Sequence, residues 1–127
     1  MLESRLPKSF FPQDFGQVLE TSAKILARGE ETKTSVRNAF FRHFTNKKVH
    51  RKFYNSVYHF CMEITRRKNL LDEYLQLSIN SKKLDPFVLS LLRIGVYISH
   101  DPSYQTNPLY SFKSVQTVIR EILQKKF

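Results

Sequence analysis

The chain has 127 residues, 41% of them hydrophobic and 13% aromatic, which is too apolar for a disordered segment and long enough for one domain with a real core. Its formal net charge of +10 points toward polyanionic partners. A single cysteine excludes an internal disulfide and a multi-cysteine zinc site, and three scattered glycines cannot build a phosphate-cradling loop.

Residues 1–13 read as an irregular arm broken by Pro7 and Pro12, without an apolar leader. Residues 14–127 read as one all-α domain, a compact bundle of about six helices, because apolar residues recur at three- and four-residue spacings and nowhere alternate as in a strand. A first helix is expected from Asp14 to Arg28, with Gly29 as its stop. Thr34 or Ser35 opens a second that runs to Thr45. A polar corner, Asn46–Lys48, leads to a third from Val49 to Arg67, followed by a fourth from Asn69 to Ile79.

The segment Leu84–His100 starts with Asp85 as a cap and Pro86 at the first helical position, then carries Arg93 as its only charge between Phe87 and Ile98. A helix apolar on every side must be enclosed, and this one is far short of the about 20 residues that span a bilayer. It is therefore the expected central helix, about residues 85–100, with Leu92 at the middle of the bundle and no membrane contact. Arg93 should find a carboxylate, buried carbonyls or the solvent edge, since an unpaired buried charge is costly. Gly95 should admit a neighbouring helix at close range. Asp101–Pro108 ends this helix, and a last one spans Phe112 to Lys125.

The cations are concentrated. Between Glu31 and Glu63 no acidic residue occurs, yet Lys33, Arg37, Arg42, Lys47, Lys48, Arg51 and Lys52 do. At 100° per residue, Val49, Phe53, Val57, Phe60, Cys61 and Ile64 share one arc of the third helix, opposite Arg51, Lys52, Asn55, His59 and Arg66. In the second helix Val36, Ala39, Phe40 and Phe44 face inward, leaving Asn38 and Arg42 outside and Arg37 at the border. The expected phosphate-contacting residues are thus Arg37, Arg42, Lys47, Lys48, Arg51, Lys52, Asn55 and Arg66. An ordinary solvated face is the plainer reading of any charged helix, but a stretch this free of acid favours a polyanion. Of the interleaved aromatics only Phe41 and Tyr58 fall off the apolar arcs, as base-stacking platforms or as covers over a helix seam.

Catalytic patterns are weak. His43, His50, His59 and His100 share no metal-ligand spacing, and Cys61 lies on an apolar arc, where cysteine behaves as a small hydrophobe. The chain reads as a non-enzyme without a cofactor, in a reducing, cytoplasmic setting.

Lys82–Pro86 followed by Leu91-Leu92-Arg93-Ile94-Gly95-Val96-Tyr97 resembles the "KLDP…LLRLGxYxL" core helix of NusB-like domains, and Arg66-Arg67-Lys68-Asn69-Leu70-Leu71-Asp72 resembles their "RRRGLLD" junction. The likeness covers roughly Phe15 to His100. It implies an all-α RNA-binding unit, with ribosomal or transfer RNA as ligand and a separate methyltransferase or a ribosomal protein as further partners. Pro12–Gly16 stands where the antitermination factor of the family carries an arginine-rich segment, so the pattern is nearer to the N-terminal domain of ribosomal RNA cytosine-5 methyltransferases. Glu63 stands where the family has glycine, and Tyr110–Phe127 matches either of two family helices. Two other classes compete with an RNA-binding domain: a helical adaptor for an acidic protein, and a helix-turn-helix DNA binder turning at Thr45–Val49.

Overall fold

The computed structural model describes residues 12–46, 53–76, 84–104 and 111–126. Among them are six α-helices and no strand: α1 (Pro12–Thr32), α2 (Val36–Thr45), α3 (Tyr54–Arg66), α4 (Lys68–Gln76), α5 (Pro86–His100) and α6 (Phe112–Lys126), with one 3-10 turn at Pro102–Tyr104. The architecture is the expected all-α bundle. None of the described helices is long and apolar enough to cross a membrane.

The first helix departs from its expected bounds at both ends. It begins at Pro12, where a proline forfeits no helical hydrogen bond, and it runs through Gly29 for a further turn. It ends instead at Lys33, whose φ of 56° is left-handed. There the Thr34 amide donates to the Gly29 carbonyl at 3.1 Å and the Lys33 amide to the Glu30 carbonyl at 3.4 Å, the paired bonds of a Schellman ending. Gly29 itself is an ordinary helical residue: a Cβ on it would stand at normal contact distance, 3.4 Å from the Thr34 carbonyl oxygen and 3.6 Å from Val36. The left-handed Lys33 reverses the chain into α2, which Ser35 caps by accepting from the Asn38 amide at 3.1 Å.

α2 and α3 run antiparallel, held by aromatic edges: Phe44 to Tyr54 at 5.0 Å and Phe40 to Tyr58 at 5.0 Å between ring centres. The described third helix starts at Tyr54, because Phe53 is non-helical and its carbonyl accepts the first helical bond, from the Val57 amide; the expected start at Val49 lies outside the described residues. Arg67 alone forms the corner into α4.

The start of α5 is as expected: Asp85 accepts from the Phe87 amide at 2.8 Å, and Pro86 is the first helical residue. α5 packs against α1, α3, α4 and α6, while α1 packs against α2, α3, α5 and α6. The centre is thus a pair of helices. Phe15, Val18, Leu19 and Ala23 of α1 and Leu91, Ile94 and Ile98 of α5 are fully enclosed, each large side chain contributing about 1.5–3 kcal/mol by burial. Leu92 is only half-buried, and Leu91 occupies the middle instead. Gly95 does admit its neighbour: a Cβ there would lie 2.9 Å from Ile119 Cδ1 of α6.

Arg93, 5% exposed, is paired. It donates to both carboxylate oxygens of Asp72 on α4 and lies 3.6 Å from Glu30 Oε2 of α1, whose Oε1 is 3.7 Å from Lys68 Nζ. This network ties three helices at one end of the bundle.

Candidate nucleic-acid interface

The antiparallel seam between α2 and α3 leaves an open groove of about 640 Å³, lined among others by Arg37, Asn55, Tyr58, His59, Glu63 and Arg66. Arg37, Asn55 and Arg66, three of the expected phosphate contacts, are all exposed and meet on this one groove. The pairing explains how: the start of α2 lies against the end of α3, so Arg37 approaches Arg66 although 29 positions separate them in sequence.

Glu63 qualifies the positive charge. It is only 5% exposed, and its Oε2 accepts from Arg66 at 3.2 Å and from Arg67. Two arginines on one carboxylate leave a surplus cation, and Arg37 has no carboxylate at ion-pairing distance among the described residues. Arg67 is further held 5.4 Å over the Tyr97 ring, which leaves Arg66 as the outward member.

Arg42 is exposed and likewise free of a described carboxylate partner, but it stands on the outer crest of α2 and does not line the groove. Lys47, Lys48, Arg51 and Lys52 lie outside the described residues. His59 is not on the free outer face expected of it: its Nε2 is 2.7 Å from the Tyr104 hydroxyl, bridging α3 to the 3-10 turn. Burial pushes the nearby Tyr97 hydroxyl up to about 12, against a hydrogen bond from Tyr104 that lowers it. Tyr58 packs on Phe40 and covers the seam, whereas Phe41 is 44% exposed.

Cys61 is buried, its thiol 3.8 Å from the Ser22 carbonyl oxygen, and burial raises its pKa far above the range in which a thiolate would be available. Among the described residues no three His, Cys, Asp or Glu side chains gather as metal ligands.

A second basic groove is not apparent from the sequence. Lys24 and Arg28 of α1, His43 of α2 and Lys126 of α6 line a space of about 280 Å³ together with Glu31 and Phe87. In sequence, Lys24 and Arg28 sit among Glu20, Glu30 and Glu31 and read as one mixed-charge face. Their i, i+4 spacing is the one signal the sequence offers, and just the tertiary fold brings His43 and Lys126 to them. No protein-family model matches this chain, and no curated protein or solved structure is significantly similar to it.

Proposed function

We propose that this chain is a non-catalytic RNA-binding domain of NusB-like pattern, near in type to the N-terminal domain of ribosomal RNA cytosine-5 methyltransferases, which contacts RNA phosphates through basic residues of α2 and α3. The observation that carries this reading is the meeting of Arg37, Asn55 and Arg66 on one open groove beside Arg42, which has no carboxylate partner among the described residues. Guanidinium groups bind phosphate oxygens in bidentate fashion, and Asn55 offers both a donor and an acceptor to a sugar or base edge. The groove runs along α3 from Asn55 to Arg66, a course that an extended backbone can follow. The net charge of +10 supplies the long-range attraction.

The test compares binding of structured RNA, single-stranded RNA, duplex DNA and an acidic protein across a range of salt. RNA should bind best, with log affinity falling linearly in log salt. Changing Arg37, Arg42, Lys48 and Lys52 together to Gln should leave the fold intact and make the salt slope shallower by up to about 3. A variant neutralised at Lys113, Arg120 and Lys125 should bind nearly as the parent does. Equal losses in both variants would mean a response to net charge alone. Preference for duplex DNA, or for the acidic protein, would hand the chain to one of the competing classes.

A further inference from the structure

α2 has a groove on each flank, and the two are of like sign. One is the α2–α3 groove with Arg37; the other is the space bounded by Lys24 and Arg28 of α1, His43 of α2 and Lys126 of α6. Arg42 stands on the crest between them, one residue and 100° around the helix from His43. We propose that the α1–α2–α6 groove is a second phosphate-binding site, and that an RNA backbone crosses the α2 crest at Arg42 to occupy both flanks; the identity of the polyanion rests on the RNA-binding reading above.

Three observations support the second site independently of the first. Its volume of about 280 Å³ suits one or two phosphate groups rather than a folded partner. Its cations come from two helices, α1 and α6, and two of them are held in place: Lys126 Nζ sits 4.2 Å over the buried Phe87 ring, and Lys24 is steadied by Glu20 at 3.2 Å. Arg28 has no carboxylate at ion-pairing distance among the described residues, so Arg28 and Lys126 face Glu31 with charge to spare. The field of the groove registers on its own titratable ring. Burial first, then Lys24 and then Arg28, lower the pKa of His43 below its ordinary 6.5.

An entering phosphate reverses that arrangement. It relieves repulsion among Lys24, Arg28 and Lys126, and it favours the imidazolium form of His43, which then becomes a further donor. Phosphate binding at this groove should accordingly take up a proton and tighten as pH falls through the range of His43 titration.

The test changes Lys24, Arg28 and Lys126 together to Gln and measures single-stranded RNA binding against salt, with thermal unfolding as the check on folding. The site predicts a loss of about tenfold in affinity and a slope shallower by up to about 2, since each single-strand contact contributes about 0.7. Unchanged affinity and slope, in a parent that does bind RNA, overturn the second site while leaving the RNA-binding reading in place. A second arm follows the His43 ring by NMR during titration with inorganic pyrophosphate. The His43 pKa should rise in the parent and stay put in the Arg28→Gln variant. If the parent binds no RNA, the crossing RNA path falls together with the proposed function, and the pyrophosphate arm alone decides whether the groove holds phosphate. No pyrophosphate response in the parent would end that claim as well.

Discussion

The Arg93 guanidinium grips the Asp72 carboxylate through two parallel bonds, Nε to Oδ1 at 2.7 Å and Nη2 to Oδ2 at 3.1 Å. The two partners are unequally enclosed, with the arginine side chain 6% and the aspartate 23% exposed. Removing one partner therefore should not equal removing the other. Asp72→Ala strands a buried cation with Glu30, at 3.6 Å, as its one carboxylate among the described residues, and should cost about 2–3 kcal/mol. Arg93→Met leaves a carboxylate that water reaches and refills the space with apolar atoms, and should cost less than half as much. Denaturant unfolding of the two variants checks the asymmetry; equal costs would mean that the pair is not held by desolvation of the arginine.

Leu91 and Leu92 make a paired test of which face of α5 is central. Leu91→Ala opens a cavity where the side chain is fully enclosed and should cost about 2–5 kcal/mol. Leu92→Ala truncates a half-buried side chain and should cost roughly half of that or less. Reversal of the order in urea unfolding would place α5 in a different rotation about its axis.

Gly95 of α5 lies against Ile119 and Val115 of α6. Gly95→Val should destabilise by about 1–3 kcal/mol through overpacking against Ile119 Cδ1, which a Cβ at this position would approach to 2.9 Å. Because that atom is the tip of a side chain, Ile119→Val should recover part of the loss in the double variant. A double-mutant cycle measures the coupling, and strict additivity of the two changes would show that the contact is not what makes glycine necessary.

Lys33 holds a left-handed conformation at the end of α1, which a side chain with a Cβ adopts at a cost of about 1–2 kcal/mol. Glycine avoids that cost but loses more backbone freedom on folding. Lys33→Gly should therefore stabilise the protein by about 0.5–1 kcal/mol, seen as a rise in thermal midpoint, whereas Lys33→Val should destabilise it. A loss of stability in the glycine variant would mean that the Lys33 side chain contributes a contact of its own.

Much of the fold was legible because it depends on local rules. Asp85 with Pro86 marks a helix start by its own hydrogen-bonding chemistry, and the 3.6-residue period selects Phe40, Phe44, Val57, Phe60 and Ile64 as inward residues before any neighbour is known. The sequence misleads where a residue type suits a position that another residue takes. Gly29 reads as a helix stop, but α1 runs through it, and Lys33 takes the left-handed position instead. Leu92 reads as central because α5 is apolar nearly all round, and its polar residues Ser90 and Arg93 are themselves buried, so they do not mark an outer face.

By itself the sequence determined the helical class, the cap and bounds of α5, and a basic stretch free of acid between Glu31 and Glu63, all of which follow from spacing and composition. Only the tertiary structure decided which cations lie together. Pairing of α2 with α3 gathers Arg37, Asn55 and Arg66 and sets Glu63 among them, while packing of α1, α2 and α6 assembles a second groove from residues up to 102 positions apart, Lys24 and Lys126. Charge is a property of composition, but a charged site is a property of distance, and distances between helices are set by the core beneath them.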